Sequence, residues 1–179
     1  MARKYKANIL SQSSIKDLIK DLKEYRNSLD SKMKEFMDKL VDIAVKEIEA
    51  NIALAGITVG SDGVESGSDI THTTEVTQVD GESYAKATIT VSGKEILFIE
   101  FGAGVYYNDP PSSHPKGEEF GFTIGSYGKG FGLRQVWGYF DDNGELRLTH
   151  GVKATMPMYK AIQRVNLEAP KIAKQVFGG

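Results

Sequence analysis

One carboxylate, Glu100, lies inside the apolar run Ile96-Leu97-Phe98-Ile99-Glu100-Phe101, which ends on Gly102-Ala103-Gly104. An ionised side chain left unpaired beside Phe98, Ile99 and Phe101 is costly, so any fold of this chain must bring Glu100 a partner. A structural partner is either the set of backbone N–H groups of the Gly102–Gly104 turn or a cation such as Arg134 or Lys153, and it fixes how the following loop departs. The sharper alternative is a catalytic base. No second catalytic group stands at a matching spacing, which favours the structural role. Glu95 to Phe101 alternates little and reads as a strand covered on both faces.

Before this run the chain reads as helical. Ser14-Ile15-Lys16-Asp17 is a helix start, with the serine oxygen as cap and Asp17 in the positive first turn. Leu18, Leu22, Tyr25 and Leu29 follow at steps of four and three, and Phe36, Leu40, Ala44, Ile48 and Ile52 continue at steps of four. That apolar stripe predicts a partner surface. Leu29-Asp30-Ser31 is a candidate break, with Asp30 or Ser31 capping a second segment that runs to about Leu54 and stops at Gly56. The small polar residues from Gly60 to Asp69 mark a loop and the boundary with a sheet.

Thr73 to Val79 and Tyr84 to Val91 read as strands joined by an Asp80-Gly81 turn. In the second, Ala85, Ala87, Ile89 and Val91 alternate with Tyr84, Lys86, Thr88 and Thr90, giving one buried and one solvated face. A second hairpin is expected from Trp137 to Leu148, turning at Asn143-Gly144. Gly102 to Arg134 shows few signs of regular structure; a loop of that length is functional or ordered by a partner. Its aromatic residues, Tyr107, Tyr127 and Phe131 among them, with Trp137 beyond it, suit an interface, and equally a loop folded back on its own domain. The closing helix is capped by Thr155, with Pro157 in its first turn and an apolar row of Met158, Ile162, Val165, Ala169, Ile172 and Val176. Pro170 predicts a kink or a restart in it.

The expected fold class is α+β: a long N-terminal helical region over residues 1–56, then residues 57–179 with a small antiparallel sheet, a long glycine and aromatic loop and a C-terminal helix packed on the sheet. The two parts are expected to form one domain, since 179 residues with 40% hydrophobic content support a single core. The net charge of -2 lacks the basic bias of a protein that holds duplex nucleic acid. No cysteine is present, which excludes disulfides and thiolate metal sites and suits a reducing cytoplasm. The basic start runs into Ser11-Gln12-Ser13-Ser14, the pattern of neither a signal peptide nor a membrane anchor.

Enzymatic motifs are weak. His114, Glu118, Glu119, His150 and His72 are the groups from which a histidine and carboxylate metal site could be built, but His-x-x-x-Glu-Glu is not a ligand motif; His114 and His150 read instead as bonded to backbone carbonyls in turns. Gly125-Ser126-Tyr127-Gly128 lacks the context of a nucleophile elbow, and Gly128-Lys129-Gly130-Phe131-Gly132 lacks the ending of a phosphate loop. No cofactor and no metal are expected.

Phe98 to Val105, the loop through His114-Pro115 and Gly125-Ser126-Tyr127-Gly128, Trp137, and Thr149-His150-Gly151 with Ala154-Thr155-Met156-Pro157-Met158-Tyr159-Lys160-Ala161 resemble the tail-component family of tailed bacteriophages that includes tail completion proteins similar to lambda's minor tail protein Z. The resemblance covers roughly the C-terminal half. It implies a non-enzymatic virion protein at the neck or top of the tail, assembled in the host cytoplasm, that completes the tail and joins it to the head. It also implies a homo-oligomeric ring, with six subunits to suit tail symmetry, in contact with tail-tube or tail-terminator and head-connector proteins. The residues it marks as an interface or structural motif are Glu100, Phe101, Gly102, Gly104, Tyr107, Tyr127, Phe131, Trp137, His150, Gly151, Thr155 and Pro157. Two rivals are a neck factor touching packaged DNA through Arg3, Lys4 and Lys6, and a metal-dependent hydrolase using His114, His150 and Glu100.

Overall fold

Gln12 to Thr58 form a single helix of 47 residues, α1, in a computed structural model that describes residues 11–58, 69–79, 82–93, 96–104, 114–122, 135–140 and 143–178. The helix is capped three residues earlier than expected: the Ser11 hydroxyl accepts from the Ser14 N–H at 3.4 Å and the Ser11 carbonyl from the Ile15 N–H at 3.1 Å. The break anticipated at Leu29-Asp30-Ser31 does not occur. The Ser31 hydroxyl donates to the Asn27 carbonyl one turn back, at 3.0 Å, so it is satisfied inside the helix. Ion pairs Lys34–Asp38 and Glu35–Lys39 follow at the i,i+4 spacing, 2.7 and 2.8 Å apart. Nor does Gly56 end the helix, since one glycine lowers helix propensity by only about 1 kcal/mol and adjacent packing outweighs it.

Strands β1 (Asp69–Val79) and β2 (Glu82–Ser92) pair as a two-stranded antiparallel sheet. The alternation of β2 is as expected, with Ala85, Ala87, Ile89 and Val91 half-buried and Tyr84, Lys86, Thr88 and Thr90 exposed. Ile96 to Phe101 form a short helix, α2, and not the expected strand. A short apolar run does not by itself distinguish the two periods. The ending decides it: Gly102 takes a left-handed φ of 76° and its N–H returns to the Phe98 carbonyl at 2.7 Å, a helix stop that a residue with a Cβ resists. Strands β3 (Trp137–Phe140) and β4 (Leu146–Thr149) form the second hairpin, pairing Trp137 with Thr149 and Phe140 with Leu146; Gly144 turns at φ 78°. Helix α3 (Pro157–Phe177) runs through Pro170 without the anticipated restart. The fold class is therefore α+β, with the C-terminal helix packed on helix α1 and the β1–β2 sheet.

The chain divides into two compact units. In the unit made of Ile43–Thr71 and Ile89–Val165, Ala44, Ile48 and Ile52 of α1 meet Ala161 of α3, and Ile70, Ile89, Val91, Ile96, Met158 and Val165 pack around them. The expected row of α3 is buried or half-buried at Met158, Val165, Ala169, Ile172 and Val176, but not at Ile162, which is 59% exposed while its neighbour Ala161 lies inside. Small side chains at Ala44 and Ala161 let the two helices approach closely. Asn51, also buried, accepts from Lys160 Nζ at 2.8 Å and donates to the Glu47 carbonyl at 2.8 Å, a second tie between α1 and α3. In the other unit (Met1–Asp42, His72–Thr88 and Asn166–Gly179), Val41, Ile172 and Val176 are buried and the Phe36 and Phe177 rings lie 5.7 Å apart. There the Lys34 hydrogen bond, helped by one from Thr74, holds the Asp38 carboxyl below its usual range. None of the described helices is long and apolar enough to cross a membrane.

Ile48 is fully buried and surrounded by other elements, so Ile48→Ala removes transfer energy and opens a cavity; urea denaturation is expected to show a loss of about 2–5 kcal/mol. Leu167→Ala on the exposed side of α3 is expected to stay within about 0.5 kcal/mol of the parent.

Candidate functional site

A helix with a proline at its first position lacks one of its four orphan N–H donors, and the remaining three must find acceptors. At the start of α3 the Lys160 N–H makes the first bond within the helix, to the Met156 carbonyl at 3.0 Å, and of the three orphan donors before it the Met156 N–H takes the Ile99 carbonyl at 3.4 Å. The other two go to Glu100: Met158 N–H reaches Oε2 at 2.8 Å and Tyr159 N–H reaches Oε1 at 2.9 Å. The cap of α3 therefore comes from 58 residues upstream. Thr155, the expected cap, does not serve: its hydroxyl is buried and has no hydrogen-bond partner among the described residues.

Glu100 reaches this position because α2 is a helix. Ile96, Ile99 and Glu100 share one helical face, whereas in a strand Ile99 and Glu100 would point to opposite sides. Glu100 is 7% exposed, and the positive end of α3 compensates the burial of its charge. The expected backbone N–H bonds are present, but the donors are those of α3 and not the Gly102–Gly104 turn. No bond to Lys153 forms, and Arg134 lies outside the described residues.

The third donor to Glu100 is His114, whose Nε2 is 3.1 Å from Oε1. Its other ring nitrogen, Nδ1, accepts the Lys116 backbone N–H at 3.0 Å. A backbone N–H only donates, so Nδ1 carries the lone pair and the proton sits on Nε2: His114 is a neutral imidazole donating to Glu100. It was expected to bond a backbone carbonyl in a turn, and it bonds a buried carboxylate instead. Aromatic rings hold it there. The Phe101 ring is 4.6 Å away and that of Tyr159 is 5.0 Å away, while Phe122 stacks on Phe101 at 4.0 Å and 5°. Residues 114–122 are compact, closed by Gly117 N–H to His114 carbonyl (2.9 Å) and Phe122 N–H to Gly117 carbonyl (2.8 Å). This part of the aromatic segment folds back onto its own unit.

The second tie between the two segments is a backbone bridge. Ala103 and Val152 exchange N–H to carbonyl bonds of 2.8 and 3.0 Å, and the Ile99 carbonyl accepts from Thr155 at 3.0 Å and Met156 at 3.4 Å. Gly151, at φ 100°, lies against the Ala103 carbonyl where a Cβ would overlap it. Met156 holds a left-handed φ of 58° directly before Pro157, a strained position that costs about 1–3 kcal/mol and persists because these bonds determine it. Gly102 and Gly104 are both buried with positive φ, and Pro157 is wholly buried.

Among the other marked residues, His150 is exposed, with Nδ1 3.2 Å from the Gln135 carbonyl, the backbone bond expected of it. Trp137 takes its place in β3 opposite Thr149, whose hydroxyl accepts the Gly151 N–H at 2.9 Å. Tyr107, Tyr127 and Phe131 lie outside the described residues. The sequence reading missed the pairing of His114 with Glu100, although an imidazole and a buried carboxylate are natural partners, and it missed Asn51, a polar residue set in the row of Ile48 and Ile52. Beside the pair opens a cleft of about 410 Å3, lined almost wholly by apolar groups, with Leu97, Phe120 and Ile162 exposed at it and Lys116 among its lining residues. Among the described residues, no three histidine or carboxylate side chains are grouped as a metal ion would require.

Comparisons with protein-family models, with characterised proteins and with solved structures find no match to this chain.

Glu100→Gln keeps the shape but loses the charge and one acceptor, so a loss of about 1–2 kcal/mol in urea denaturation is expected. Glu100→Ala, which also orphans the His114 donor, is expected to cost about 3 kcal/mol or more. For Gly151→Ala the overlap with Ala103 adds to the strained φ, and thermal denaturation is expected to show a loss of at least about 2 kcal/mol.

Proposed function

We propose that this chain is a structural virion protein of a tailed bacteriophage, placed at the neck or the top of the tail, where sister subunits form a ring that completes the tail and joins it to the head. The virion setting comes from the resemblance carried by Phe98–Val105 and Thr149–Ala161. The observation that carries the structural role is the use made of Glu100: its two oxygens take three donors, from Met158, Tyr159 and His114, and both nitrogens of His114 are occupied as well. Such a pair resembles a catalytic acid–imidazole couple in composition only. A general base needs an oxygen or nitrogen within reach of a substrate proton, and here those atoms hold a helix end and a turn.

The surface is consistent with assembly. Phe140, Leu146 and Leu148 stand exposed on the β3–β4 hairpin, Leu97, Phe120 and Ile162 line the cleft beside Glu100, and the N-terminal half of α1 carries an exposed apolar row. Apolar groups of this size in clusters suit contact with other protein chains. In this reading the Glu100 clamp sets the position of the aromatic segment relative to α3, and neighbouring copies, tail-tube or tail-terminator proteins and head-connector proteins cover the outward faces.

Electron microscopy of particles from a phage lacking this gene is expected to show full heads and finished tails that remain separate. Overlong tails would place the protein at length termination and not at joining, and normal particles would remove the reading altogether.

A further inference from the structure

Helix α1 carries two different faces along its length. From Val41 onward one row, Val41, Ala44, Ile48, Ile52 and Ala55, is buried by the chain itself, whereas among the described residues none from Gln12 to Leu40 is fully buried. Within that first part Ile15, Leu18, Leu22, Tyr25 and Leu29 recur at steps of three, four, three and four, the a and d positions of a heptad repeat. Ile15, Leu22 and Leu29 are 36 to 46% exposed, close to what a helix surface leaves open to water. Two charges flank the seam: Asp21 falls at a g position and Arg26 at the e position five residues later. Neither has an ion-pair or hydrogen-bond partner among the described residues.

We infer that residues 15–29 of α1 form a parallel coiled-coil seam with α1 of a second copy of this chain. Asp21 of each copy then faces Arg26 of the other. The charges decide between arrangements, because a parallel pair sets each g residue opposite the e residue of the next heptad in its partner, and here that pairs opposite signs twice. Because both copies use the same residues, the seam is isologous and joins copies in pairs, so closing a larger ring takes a second face. Two heptads are too few to order an isolated helix, but this one is continuous with the buried segment from Val41 to Ala55, so little ordering remains to oppose association. The seam ends where Lys32 takes the next d position and Phe36 turns to Phe177 of its own chain. This inference rests on the reading that sister copies assemble, and it names a surface by which two of them pair.

Sedimentation equilibrium of the full chain at low salt tests it. Leu22→Asp, on an exposed helix position, is expected to keep the circular dichroism of the parent and to weaken self-association at least about tenfold. Asp21→Arg and Arg26→Asp are each expected to weaken it about two- to fivefold, and the double variant and an equimolar mixture of the two single variants to restore it. A parent that associates but ignores Leu22→Asp overturns the seam and leaves self-assembly standing through another face. Dissociation by Leu22→Asp without rescue by charge exchange overturns the parallel pairing. A parent that is monomeric at every concentration overturns both the seam and the ring, and a lower melting temperature of monomeric Leu22→Asp would then show that the row is covered by its own chain.

Discussion

Glu100 is a helix cap delivered from a distant part of the chain, and the arrangement of the C-terminal half depends on it. The N-terminus of α3 begins with a proline and is preceded by a strained Met156, so it has no local residue able to satisfy its free N–H groups. The carboxylate of α2 supplies the acceptor, and the helix in return supplies the positive end that makes a buried charge tolerable. Each side removes the other's penalty. His114 closes the arrangement by donating from Nε2 while its Nδ1 anchors the turn at Lys116, so the aromatic segment, α2 and α3 are held at one point.

Around that point the glycines have definite tasks. Gly102 stops α2 so that the chain can turn, and Gly151 permits the Ala103–Val152 bridge by offering no Cβ to the Ala103 carbonyl. The bridge and the clamp together bring Phe98–Val105 against Thr149–Tyr159, two segments separated by some of the most irregular sequence in the chain. Exposed apolar side chains remain in the cleft beside the clamp and on the β3–β4 hairpin, and also on the first part of α1.

Several elements were legible from local pattern. The β2 alternation, the Asn143-Gly144 turn and the start of α3 near Pro157 follow from short-range rules, and the need of Glu100 for a partner follows from its apolar neighbours. Other elements were read wrongly for identifiable reasons. Ile96–Phe101 has too few residues for its period to separate helix from strand, and the Gly102 stop decides it. Asp30 and Ser31 are favourable caps, yet α1 continues because Ser31 bonds back within the helix. Thr155 stands at a plausible cap position, but a carboxylate with two acceptor oxygens takes the donors, and the Thr155 hydroxyl is left without a partner among the described residues.

By itself the sequence determined that α1 is amphipathic, that β1–β2 and β3–β4 are hairpins, and that a charge had to be buried with company, because propensity, turn chemistry and the cost of desolvation act over a few residues. Only the tertiary structure decided who that company is. Met158, Tyr159 and His114 are chosen by the approach of three segments, and the burial of Ala44, Ile48 and Ile52 of α1 is decided in the same way by the approach of Ala161 of α3. Partners brought together by long-range packing leave no mark at a fixed spacing, so no local rule identifies them.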